Sequence, residues 1–181
     1  MMRTADERAR ILRTAIEDNA ADLLAYLLRR TSNHEDAADL LAETAETAWK
    51  RIAIMPTDPV RGRMWLFVTA RHKLANHQRK KVGQDRLTTA LADDLRQNGQ
   101  QLPMPSDDQI DVQRAVRSLP AKLREVIELV HWDGFTVTEA ARVLRLPTST
   151  ARTRYAAAIV LLRQTLCDHD TEQLPDLAAS R

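Results

Sequence analysis

Glycine, aromatic side chains and cysteine are scarce in this chain, and each scarcity excludes something. The 181 residues include four glycines and 4% aromatics. Sheets draw on β-branched and aromatic residues, and tight hairpins on glycine, so a chain rich in alanine, leucine and arginine favours helix. An all-α fold is expected. The single cysteine, Cys167, excludes an internal disulfide framework, and no four-ligand zinc spacing occurs. No run approaches the roughly 18 apolar residues of a membrane span. The start "MMRTADERARILRTAI" is charged where a secretory signal needs its apolar segment. A reducing, cytoplasmic setting without membrane insertion is expected.

What is present is charge, and it is segregated. The net charge of +2 conceals a basic block at 61–84, "RGRMWLFVTARHKLANHQRKKVGQ", with 7 Lys or Arg, two His and no acid. Residues 83–112 reverse the sign with six Asp against two Arg, and residues 140–166 hold five Arg and no acid. Two basic segments therefore flank an acidic strip.

Helical periodicity divides the chain into modules. Leu12, Ile16, Leu23, Leu24, Leu27 and Leu28 form a first apolar stripe. Ser32 or Asn33 can cap a second helix running to about Arg51, with Asp36 in its first turn. "MPTDPVRG" reads as a loop, and a third helix is expected from about Met64 to Lys81, burying Trp65, Leu66, Ala70 and Leu74. Residues 1–82 thus make one helical module. Residues 83–108 read as a flexible acidic linker, with room for a short helix inside "RLTTALADDLRQ". Four short helices fit 109–168, and 169–181 read as a frayed tail.

The second module contains a helix, a tight turn and a helix. In "TVTEAARVLRLPTSTARTRYAAAIVLLRQ", Val137, Ala140, Ala141 and Leu144 share one face. Leu146 and Pro147 interrupt it, and Ala151, Tyr155, Ile159 and Leu162 resume it. Thr136 or Thr138 can cap the first helix, and Thr148 or Ser149 the second. Ser149, Arg152, Thr153 and Ala156 then fall opposite the core stripe. Hydroxyls and a helix N-terminus suit phosphate, and Arg152 suits phosphate or a guanine edge, so this is the outline of a helix-turn-helix. Taken alone, the same residues also describe a capped helix with solvated arginines.

A longer stretch, "LPAKLREVIELVHWDGFTVTEAARVLRLPTSTARTRYAAAIVLLRQTL", resembles region 4 of bacterial sigma-70-family factors of the extracytoplasmic-function (ECF) type. The shared features are "LP" followed by "REV", the step Trp132-Asp133-Gly134, "EAA", and an "LP" turn running into Thr-Ala-Arg-Thr-Arg. The resemblance implies that Thr148, Ser149, Thr150, Arg152, Thr153 and Arg154 face the minus thirty-five promoter element. Ser149 stands where the family usually has Gly, and "AAA" at 156–158 where it often has a basic patch. Upstream, "NHEDAADLLAETAETAWKR" resembles region 2 of that family. That likeness implies that Asp36, Asp39, Leu40 and Glu43 dock on the coiled coil of the polymerase β′ subunit.

"WLFVTARHKLANHQRKK" is similar to the family's promoter-melting helix, with His72 in place of Asn and Asn76 in place of Asp. This implies a minus ten surface of Arg63, His72, Lys73, Asn76, Arg79 and Lys80, and a loop at Met55–Arg63 that helps capture a flipped base. The likeness spans about 130 of the 181 residues in family order. It implies two small helical domains, region 2 with three helices and region 4 with the helix-turn-helix, on a flexible linker directed toward the polymerase cleft. Implied partners are core RNA polymerase (β′ coiled coil and β flap), duplex and single-stranded promoter DNA, and an anti-sigma factor.

No cofactor, metal or catalytic residue is expected. His72 and His77 lie on different helix faces, and Cys167 with His169 is too sparse for zinc. A small hydrolase built on His34, Glu35 and Asp36, or on His131 and Asp133, would lack a nucleophile beside either cluster. A polymerase-independent helix-turn-helix regulator would account for the second module but not the first.

Overall fold

A computed structural model describes residues 5–31, 33–88 and 107–172; the expected linker core at 89–106, Ser32, and the ends 1–4 and 173–181 lie outside the described residues. Every described element is helical: α1 (Ala5–Leu28), α2 (His34–Lys50), α3 (Pro59–Thr88), α4 (Asp107–Ser118), α5 (Ala121–His131), α6 (Val137–Leu144) and α7 (Thr148–Glu172). They fall into two compact units, Met1–Gln100 and Gln101–Arg181.

In the first unit three helices pack pairwise. α1 has no Gly or Pro, carries Asp6 and Glu7 in its first turn where acids complement the helix dipole, and buries Leu12, Leu23, Tyr26 and Leu27. Asn33 caps α2: its side-chain oxygen accepts from the Asp36 N–H at 2.7 Å. α2 buries Ala37, Leu40, Thr44 and Ala48, and the Thr44 hydroxyl donates to the Leu40 carbonyl, which satisfies its burial. Small residues at this spacing let α2 approach its neighbours closely. Opposite them, α3 buries Met64, Leu66, Phe67, Ala70 and Leu74. Tyr26 and Phe67 meet edge to face at 5.4 Å. Each fully buried side chain of this size stabilises the unit by about 1.5–3 kcal/mol.

α3 departs from expectation at both ends. It begins at Pro59 and not at Met64, because Asp58 accepts from the Arg61 N–H at 2.9 Å and Pro59 occupies the first helical position. Proline is tolerated there because its missing N–H would have no helical partner. At the other end α3 runs past position 82 to Thr88, so the start of the expected linker is helical. Trp65, expected in the core, is half-buried.

In the second unit, Val116, Leu119, Ile127 and Ala158 form the core, with Leu123, Tyr155, Ile159 and Leu162 packed on it. α4 begins at Asp107, and α7, expected to be short, has 25 residues and takes in 169–172 of the expected tail. Between α5 and α6, Gly134 sits at φ +68°, where a side chain is strained, and the Phe135 N–H returns to the Leu129 carbonyl at 3.0 Å. Phe135 is thereby buried.

Candidate nucleic-acid interface

The helix-turn-helix is set by two local devices. Thr136 caps α6 in a reciprocal capping box, its hydroxyl accepting from the Glu139 N–H while the Glu139 carboxylate accepts from the Thr136 N–H. α6 then ends with Arg145 in the left-handed region at φ 56°, and the Leu146 N–H closes back on the Ala141 carbonyl at 2.8 Å. This turn, followed by Pro147, sets the crossing onto α7.

Thr148 is already helical, so neither it nor Ser149 is the residue before the helix; the hydroxyls decorate its first turn. Ala151 is fully buried, which holds α7 against α6, while Ser149, Arg152, Thr153 and Ala156 are exposed as their spacing predicts. Thr148, Thr150 and Arg154 are half-buried beside them. The Thr153 hydroxyl donates to the Ser149 carbonyl at 3.1 Å, which leaves its oxygen able to accept. The surface therefore offers the positive end of a helix, hydroxyls and a guanidinium, a set that matches phosphate and base edges. Arg142 and Arg145, absent from the expected contacts, are exposed at the end of α6. Their signal in the sequence is the acid-free run at 140–166.

In the first unit the expected residues separate into three groups. His72, Asn76, Arg79 and Lys80 are exposed on α3. Lys73 pairs with Glu43 of α2 at 3.2 Å, and Asp36 lies 3.4 Å from His77 and 3.7 Å from Lys81. Arg63 is directed elsewhere: its guanidinium donates to Asn19 at 2.8 Å and Asp22 at 2.7 Å on α1, and it lies over the Phe67 ring. Between α2 and α3 runs a groove of about 380 Å³ lined by Leu40, Glu43, Lys73, Asn76, His77, Arg79 and Lys80. Asp39 is exposed on α2, and Leu40 is buried at the base of that helix face. Acidic and cationic surfaces thus adjoin along one helix pair. Among the described residues no His, Cys, Asp or Glu cluster is fit to hold a metal, and no helix is long and apolar enough to cross a membrane.

Fold and surface define a two-module, all-helical DNA-binding protein. Residues 15–83 match the family model for sigma-70 region 2, and residues 109–162 the model for sigma-70 region 4, together about two thirds of the chain. The ECF RNA polymerase sigma factor SigL of Mycobacterium tuberculosis is 27% identical over 165 residues, covering 90% of this chain and 92% of SigL. Among solved structures, the sigma factor RpoE of Bartonella quintana, in complex with the anti-sigma factor NepR, has a TM-score of 0.67 at 23% identity. That match covers 85% of this chain and 95% of RpoE. CnrH in complex with the cytosolic domain of CnrY gives 0.60 at 22%, covering 90% of each chain. Both share the fold. The chain belongs to the sigma-70 family and is an ECF-type sigma factor, a transcription initiation factor.

Proposed function

We propose a division of labour in which each module of this sigma factor meets its own promoter element. The exposed face of α7, with Ser149, Arg152 and Thr153 in the first two turns, enters the major groove of the minus thirty-five element; Thr148, Thr150 and Arg154 hold the adjacent backbone. His72, Asn76, Arg79 and Lys80 take single-stranded minus ten DNA: cations hold phosphates while imidazole and amide groups read an unstacked base. Lys73 joins them when Glu43 is otherwise engaged. Arg63 acts indirectly, by anchoring the first turn of α3. The connection Arg51–Asp58 with that turn helps to capture a flipped base.

Beside the α3 cations, on the α2 side of the same helix pair, Asp36, Asp39 and Glu43 present carboxylates to the β′ coiled coil of core polymerase, with Leu40 beneath them. The second module meets the β flap. The factor works by binding, with no chemistry of its own, in the cytoplasm. An anti-sigma protein holds it inactive, as the complexed states of RpoE and CnrH suggest by analogy. Residues 89–106 tether the modules, so that binding at one element raises the effective concentration at the other.

The observation that carries this function is the pair of basic, acid-poor helix faces, on α3 and α7, in separate compact units of one chain. The test is to add the protein to core polymerase with a promoter library and map transcript starts. Defined starts that depend on both elements are expected; absence of polymerase binding and of start selection would overturn the proposal.

A further inference from the structure

A base read from a loop needs a backbone held to about 0.5 Å. The connection Arg51–Asp58 carries few bonds of its own: the Ile52 N–H returns to Trp49 and the Ile54 N–H to Arg51. Ties from other elements supply the rest. The Arg8 guanidinium on α1 donates to the Ile52 carbonyl at 3.1 Å and the Ala53 carbonyl at 2.9 Å, across 44 and 45 residues of sequence. These carbonyls lie just past the C-terminal end of α2, where a cation is favoured and a guanidinium hydrogen bond is charge-assisted. One turn along α1 from Arg8, Leu12 is fully buried, so the donor stands on a fixed base.

The far side of the loop is tied as well. Met55 is 6% exposed, and a Cβ at Gly62 would meet its methyl at 3.3 Å and the Pro56 carbonyl at 3.4 Å. Glycine at 62 therefore lets the loop sit directly on the first turn of α3. That turn is anchored to α1 through Arg63, Asn19 and Asp22. Between the ties, Ile54 is 66% exposed.

We propose that Arg8 is a positioning residue for minus ten recognition: its clamp on the Ile52 and Ala53 carbonyls, opposed by the glycine seat at 62, holds the base-capturing loop in one conformation. This rests on the proposal that the loop captures a flipped base. The frame acts on specificity, since α1 itself need not touch the promoter.

The experiment measures transcription by holoenzyme, made from the full chain and core polymerase, on promoters carrying each base at each minus ten position. It is run at a temperature where melting curves show every variant folded. Arg8→Ala is expected to reduce the preference at one or more minus ten positions about tenfold. Minus thirty-five preference and core affinity should stay within about twofold. Arg8→Lys, which keeps the charge without the fork, should recover part of the preference, and Gly62→Ala should disturb the same positions from the other side. Minus ten preferences unchanged in both Arg8→Ala and Gly62→Ala, even with lowered melting temperatures, would overturn the clamp. Ile54→Ser separates the two proposals. If it alters preference while Arg8→Ala does not, the clamp alone fails; if it also leaves every preference unchanged, base capture by this loop fails and the clamp with it.

Discussion

The two units carry their cations in different surroundings. In the second, α7 and the end of α6 lie in a 27-residue stretch, 140–166, with no acidic side chain at all. In the first, α3 shares its flank with an acidic helix, and Lys73, His77 and Lys81 each lie within ion-pair distance of Glu43 or Asp36. Partly exposed pairs of this kind contribute about 0–1 kcal/mol, too little to account for the arrangement as stability. They are weak enough to be exchanged for intermolecular partners. In the proposed division of labour the α7 face meets DNA alone and needs only cations, whereas the α2–α3 pair meets polymerase and DNA side by side and carries both signs.

The largest way to break that contrast is to unfold one unit. Phe67→Ala removes a fully buried ring that packs on Tyr26 and should cost the first unit about 3–5 kcal/mol. Calorimetry should show one transition lowered and the other in place, with binding to a minus thirty-five duplex retained. A single shared transition would mean that the units are energetically one.

Smaller substitutions sharpen the contrast without unfolding either side. Arg152→Ala should weaken minus thirty-five duplex binding by about 1–3 kcal/mol, or reduce the salt slope by about 1 if its contact is to phosphate. Asn76→Ala should impair minus ten choice or strand opening, by about 1 kcal/mol, with duplex binding largely kept. Equal effects of both on simple duplex binding would remove the division between the units.

The smallest effect concerns an exposed acid on α2 outside the proposed contacts. The Glu46 carboxyl is held below its ordinary range by a hydrogen bond from Lys50 and by that ammonium's charge. A depressed carboxylate stabilises the fold above its unfolded pKa and loses that contribution as pH falls through the folded value. Glu46→Gln should therefore lower the melting temperature slightly near neutral pH, and the difference from the parent should vanish in acid. A difference that persists in acid would assign the effect to packing instead.

Helical periodicity makes most of the architecture legible in the sequence. α1, α2 and the helix-turn-helix follow from apolar spacing, and the outward residues of α7 from the angle per residue. Pro59 and Gly62 read as loop markers in the sequence, which places the expected start of α3 too late. Asp58-Pro59 is equally a cap followed by a first helical residue, and Gly62 serves a close approach, not a turn. Other features have no local signature. Buried Asn19 is tolerated because it bonds the Ala15 carbonyl and Arg63, and Arg63 finds its partners 41 and 44 residues away. A side chain's partner at that separation is decided by helix packing, which no short window encodes. The same holds for Arg8, indistinguishable in sequence from the other arginines of α1.

The central claim is that α2 faces polymerase while α7 faces DNA. Its most direct test is the affinity of the double charge reversal Asp39→Lys, Glu43→Lys for core polymerase, measured alongside binding of the free protein to a minus thirty-five duplex. The account predicts that core affinity falls at least about tenfold while duplex binding stays within about twofold. Unchanged core affinity would contradict it and return the acidic face of α2 to the role of a solvated helix surface.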